Sequence, residues 1–138
     1  MNANLRPKFF NRFACVLFFI FVINTLAHIF FWYQSFSWFD DIMHFLGGVA
    51  GGLFLLWFLY RKYKVWDSER KFLKILLVNS VLFLVAATLW EVMEFSVQDL
   101  FDIGTTLADK NDSVRDLIYG LFGNMLVVFY YFAKRKNG

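Results

Sequence analysis

Four long apolar runs, separated by short polar breaks, set the pattern of this chain. They cover residues Phe13 to Trp32, Ile42 to Tyr60, Leu73 to Phe95 and Leu117 to Phe132. The last is the shortest and gains a turn from Val114–Asp116. A bilayer core about 30 Å thick takes about 20 apolar helical residues to cross. The pattern therefore predicts an all-α, polytopic membrane protein: a single membrane domain over residues 1–138, with a bundle of four transmembrane helices at about 13–32, 42–60, 73–95 and 115–132. The first run exceeds the length of a secretory signal core, and no small-residue cleavage site follows it, so it reads as a retained helix. Phe31-Trp32-Tyr33 at its end reads as an interfacial aromatic anchor.

Composition reinforces this pattern. Hydrophobic residues make up 59% of the chain and aromatics 22%, 20 of them Phe, against about 45–50% apolar in a soluble domain. Cys15 is the single cysteine, which excludes an intramolecular disulfide, and it reads as a small hydrophobe. The formal charge of +3 would suit nucleic acid if the basic residues formed a patch. They are instead sorted by the spans. Twelve of the 14 Lys and Arg residues fall before the first run, between the second and third, at the very start of the third (Lys74), or after the fourth, leaving only Lys110 and Arg115 on the other side. Positive charge gathers on the cytoplasmic side of a membrane. The expected topology is thus N-in, C-in, in a bacterial cytoplasmic (inner) membrane, with no nucleic-acid partner.

The acids run the other way. Asp67 and Glu69 are on the basic side; the remaining nine lie in the outer loops or at the outer helix ends. Acids contribute little to topology, so this bias calls for a chemical cause. The second span opens Asp40-Asp41-Ile42-Met43-His44, with both carboxylates at helical spacing from the histidine. Gly47, Gly48, Gly51 and Gly52 follow as two overlapping Gly-x-x-x-Gly pairs, a spacing that allows helix backbones to approach in lipid. The third span ends with Glu91 and Glu94, Glu91 about 6 Å inside the apolar run at 1.5 Å per residue. An ionisable group at that depth is expected to face the bundle interior or a wet cavity. The fourth span carries a stripe of Asp112, Asp116, Gly120 and Gly123/Asn124, with Arg115 beside it. Asn24, Thr25 and His28 are the strongly polar residues of the first span. Asp112 reads as a helix cap, as does Asp40 at the second span. Asp99, Asp102 and Asp109 read as a solvated loop, within an outer segment Ser96–Ser113 long enough for a short lid or surface helix.

The topology brings these span ends to one face. The expected site has Asp41, His44, Glu91, Glu94 and Asp116 as ligands of a divalent metal, whose identity carboxylates and an imidazole do not fix. His44, Glu91, Asp116 and Arg115 are the expected catalytic groups. Arg115 would either pair with Asp112 or hold an anionic group. His28 stands open between packing and site.

The same residues carry a family likeness. Asp41-Ile42-Met43-His44-Phe45-Leu46-Gly47-Gly48, Trp90-Glu91-x-x-Glu94-Phe95 and Asp112-x-x-x-Asp116-x-x-x-Gly120-x-x-Gly123, in that order, resemble small bacterial membrane proteins of the YjdF-like type. The likeness runs from about Asp40 to Asn124 and implies the four-helix layout, without an assigned reaction. More distantly the chain is similar to VanZ-like proteins, with Ile42 where their element has lysine.

Three functions fit these observations. One is a metal-dependent membrane enzyme acting on lipid or lipid-linked headgroups. A second is a proton- or metal-ion-handling transporter. The third is a structural or assembly subunit. Membrane lipids are the expected partners, and the glycine faces make a homo-oligomer an expectation as well.

Overall fold

A computed structural model describes residues 5–63, 72–100 and 107–136. Among them are five helices: α1 (Leu5–Ile29), α2 (Trp32–Ser35), α3 (Phe39–Tyr63), α4 (Phe72–Leu100) and α5 (Leu107–Lys136). Four of these are long and apolar enough to cross a membrane, over Phe10–Ile29, Phe39–Leu59, Phe72–Val97 and Asp112–Ala133. The expected all-α fold with four spanning-length helices is present. The basic segment between the second and third spans, and the loop acid Asp102, lie largely or wholly outside the described residues.

The helix ends differ from the expected limits in instructive ways. The first span stops at Ile29 rather than Trp32. Phe31 takes a left-handed conformation (φ 57°), which breaks the helix and starts the single turn α2. The expected anchor is thus a folded corner. The outer segment Ser96–Ser113 is largely helical too, since α4 runs on to Leu100 and α5 already begins at Leu107. Asp112 therefore sits inside α5 and does not cap it, and α3 begins one residue before Asp40.

Helix α3 is the hub. It packs most closely against α5, then α1, and also touches α4, while α4 packs on α5. Small residues explain the α3–α5 pairing. A Cβ on Gly48 would collide with the backbone of Gly120, and one on Gly123 with the carbonyl oxygen of Phe45. At Gly52 a Cβ would come within 3.1 Å of the Asn124 carbonyl oxygen. Of the two Gly-x-x-x-Gly pairs, Gly48/Gly52 faces α5. Gly51 instead makes room for the ring of Phe83 on α4, which also fills the space at Gly120, and Gly47 faces open space. Close backbone approach through small residues is the usual means of helix association where lipid removes the hydrophobic drive between helices.

Towards the end of the bundle that carries the chain termini, Leu53, Leu56, Leu59, Ile75, Val127 and Val128 form an apolar core joining α3, α4 and α5. Above this core lies one polar contact: Asn79 Nδ2 of α4 donates to Asn124 Oδ1 of α5 at 3.1 Å, both side chains fully buried. The other atoms of this pair, Asn79 Oδ1 and Asn124 Nδ2, have no hydrogen-bond partner. At the opposite end, Ala27, Phe39 and Met43 pack with Trp32 and Tyr33, fastening α2 onto α1 and α3. Most of α1 is exposed, with Phe18 and Phe21 on its surface, as suits a lipid-facing helix.

Two outcomes test this packing. Gly48→Ala and Gly123→Ala should each cost about 2 kcal/mol or more through overpacking, whereas Gly47→Ala should stay within about 0.5 kcal/mol. Thermal unfolding in detergent, followed by circular dichroism, reads the difference. Asn124→Leu alone should destabilise by about 1–3 kcal/mol, because it strands the Asn79 amide, and the double change Asn79→Leu with Asn124→Leu should recover part of that loss.

Candidate functional site

The Gly48–Gly120 contact sets the geometry of the acidic end. His44 lies one helical turn before Gly48, and Asp116 one turn before Gly120. Bringing the two glycines together therefore brings His44 and Asp116 face to face. His44 Nε2 lies 3.6 Å from Asp40 Oδ1, one turn earlier on α3, and 3.7 Å from Asp116 Oδ2 across the helix pair. Both separations are too long for a hydrogen bond. The three groups each offer one ligand atom, and these atoms all lie within 4.8 Å of one another. Around a tetrahedral metal with bonds of about 2.0–2.1 Å, neighbouring ligand atoms sit roughly 3.3 Å apart. The two His44 separations exceed that spacing by a few tenths of an ångström. A His/Asp/Asp group near enough to hold a metal is thus present.

Asp116 is the buried member, at 6% exposure. Its Oδ2 faces His44, while its Oδ1 is buried without a hydrogen-bond partner. Beside this trio opens a cleft of about 70 Å³, lined by Asp40, Glu91, Glu94, Phe95, Asp112, Ser113 and Asp116. The carboxylates thus converge from α3, α4 and α5. Glu91 and Glu94 reach the wall from the end of α4, in accord with the expectation that their depth needs a polar outlet.

Asp41 goes elsewhere. One residue on from Asp40, it turns about 100° around the helix and pairs with Arg115, whose Nε lies 2.6 Å from Asp41 Oδ1. The same guanidinium bonds Asp112 Oδ1 through Nη2. Arg115 is therefore shared by two carboxylates, and it ties α3 to α5 at the rim of the cleft. Of the two carboxylates at helical spacing from His44, Asp40 and not the expected ligand Asp41 stands beside it. His28, open between site and packing in the sequence, is exposed and lies against the ring of Tyr33 at 5.1 Å, and it is not one of the trio. Asn79 went unnoticed in the sequence, although a lone amide inside an apolar run is a signal that could have found it.

Tyr33 borders the site from α2. Its hydroxyl donates to Asn24 Oδ1 on α1 at 2.6 Å. Burial first, then the nearby Asp40 and Glu94 carboxylates, raise its pKa above the ordinary phenol value. The phenol thus remains a neutral donor at neutral pH.

These features define a four-helix membrane-type bundle with a histidine–carboxylate cleft at one end. The chain belongs to the family described as predicted membrane protein (DUF2238), which it matches over residues 3–137. It is also 28% identical, over 118 residues, to an uncharacterised protein of Thermotoga maritima, an alignment that covers 84% of this chain and 55% of the relative. The chain thus spans about half the length of that relative. No solved structure matches it.

The raised Tyr33 pKa has a measurable sign. Above pH about 10 the unfolded phenol ionises while the folded one keeps its proton, so the contribution of Tyr33 to stability is full below that pH and declines as pH rises through the folded value. The ultraviolet absorbance of phenolate in the folded protein, taken as the difference between wild type and Tyr33→Phe, should appear only above the ordinary tyrosine range.

Proposed function

We infer that the protein is a metal-dependent membrane enzyme acting on lipid or lipid-linked headgroups, with the acidic end at the extracytoplasmic face of a bacterial cytoplasmic membrane. The observation that supports this most directly is His44 Nε2, set between Asp40 and Asp116 at distances that suit a shared cation better than a proton. Three protein donors leave coordination positions open, the arrangement of catalytic rather than structural sites. A bound divalent ion would polarise a phosphoryl or carbonyl oxygen and acidify a bound water.

The electrostatics of the cleft favour the same order of events. Asp40, Glu91, Glu94, Asp112 and Asp116 all line it, and Arg115 is already shared between Asp41 and Asp112. An anionic headgroup meets a negative cleft until a cation enters. Arg115 then serves mainly to fix Asp41 and α5, with its exposed guanidinium edge beside the opening.

The ion-handling alternative needs a path through the bundle. Below the Asn79–Asn124 pair, the described core of Leu53, Leu56, Ile75 and Val128 is apolar and closely packed, which weighs against a path within one chain. The outward orientation rests on the charge asymmetry of the sequence.

Elemental mass spectrometry of detergent-purified protein tests the metal: at least one divalent ion per chain is expected, and its loss in His44→Ala. Vesicles holding the metal-loaded protein should then turn over a phospholipid or lipid-linked headgroup, and a chelator should abolish that activity. Absence of metal from the wild type, after reloading, would end this reading. Metal flux across the vesicles without headgroup turnover would favour the transporter.

A further inference from the structure

Two sets of residues meet at the acidic end, and they overlap only in part. The trio contains Asp40, His44 and Asp116. The neighbouring cleft is lined by Asp40 and Asp116 again, but also by Glu91, Glu94 and Asp112, and not by His44. Asp40 and Asp116 therefore belong to both.

Asp116 is the member that decides the matter. With Oδ2 directed at His44, its Oδ1 remains buried and without a hydrogen-bond partner in a residue only 6% exposed. A buried carboxylate oxygen left without a partner forfeits its hydration without recompense, so it calls for a ligand. Asp116 belongs to the trio through Oδ2 and also lines the cleft, so this one carboxylate can serve as a bridging ligand.

The geometry points to a second divalent-cation site in the cleft, bridged by Asp116 to the His44 position and completed by Glu91 and Glu94. This rests on the metal reading above and extends it to a two-ion centre. The cleft donors are all oxygens, which suits a hard ion of the Mg²⁺, Mn²⁺ or Ca²⁺ kind. The cleft, about 70 Å³, has room for an ion and water, since about 10–15 Å³ of such space holds one water. Charge favours two ions as well. Five lining carboxylates carry five negative charges when ionised; one divalent ion leaves three of them uncompensated, and two leave one. Paired ions about 3.5–4 Å apart clamp both oxygens of a displacement at phosphorus, which agrees with a phosphate-bearing headgroup as the substrate class.

Mn²⁺ alone is the probe, because both donor sets accept it. Metal-stripped full-length protein in detergent is titrated with Mn²⁺, and bound ion is read by equilibrium dialysis and electron paramagnetic resonance. The expected result is two Mn²⁺ per chain with a spin-coupled spectrum. Glu91→Gln with Glu94→Gln should bind one Mn²⁺ per chain, giving the six-line spectrum of an isolated ion. The coupled spectrum of the wild type is a readout independent of how well that variant folds. One uncoupled ion in the wild type, unaffected by the glutamate changes, would overturn the second site and leave the His44 site standing. Two ions without coupling would mark the second as adventitious and overturn the proposal equally. No bound Mn²⁺ at all would overturn both readings.

Discussion

The contact between Gly48 and Gly120 is the constraint from which the rest of the structure follows. With no Cβ on either residue, α3 and α5 meet backbone to backbone, closer than side chains would permit. One turn towards the acidic end, that closeness becomes the approach of His44 to Asp116. Further along in the other direction, Gly52 lets α3 lie against Asn124, which in turn holds Asn79 of α4. Gly51 and Gly120 together admit the Phe83 ring, so α4 is keyed into the pair the other two helices form. The site and the core are consequences of one crossing, and a change in its spacing would disturb both.

Charge then sorts what packing has brought together. Asp40 and Asp41 are adjacent in sequence, yet a single residue of helical rotation sends one to His44 and the other to Arg115. Arg115 bonds Asp112 on its own helix at the same time, which pins the start of the buried part of α5 against α3. Six carboxylates near one another would repel strongly if all were ionised. The guanidinium compensates for part of that repulsion at the rim. It lies half-exposed there, while the buried Asp116 faces the histidine across the helix pair.

Much of this was legible in the sequence, because the spans depend on composition over lengths that chance does not produce. The four apolar runs identify the spanning helices, and the order of acid-bearing ends identifies which residues can meet. What the runs could not supply was the choice between alternatives that share a face. Asp40 and Asp41 both stand at helical spacing from His44, and the decision between them is made by Arg115 on another helix. Likewise Gly47/Gly51 and Gly48/Gly52 are equivalent as patterns. Only the position of α5 and the size of Phe83 separate them. Asp112 read as a cap because the apolar run begins after it, but α5 starts five residues earlier, at Leu107. Hydropathy locates the membrane-spanning part of a helix and is blind to the polar turns that extend it.

The distribution of polar groups along the bundle bears on what such a site can do. At one end the carboxylates have water within reach through the cleft. At the level of Asn79 and Asn124 the polar atoms are few and fully buried, and beyond them the interior is aliphatic. A charged species entering at the acidic end thus meets carboxylates at once, then a rising cost of going deeper, since among the described residues the core past the amide pair is aliphatic. A gradient of that shape favours holding an ion at the end of the bundle over passing it along one chain. Chemistry at the membrane surface, on a group presented from the lipid or from water, makes better use of such a gradient than passage through it.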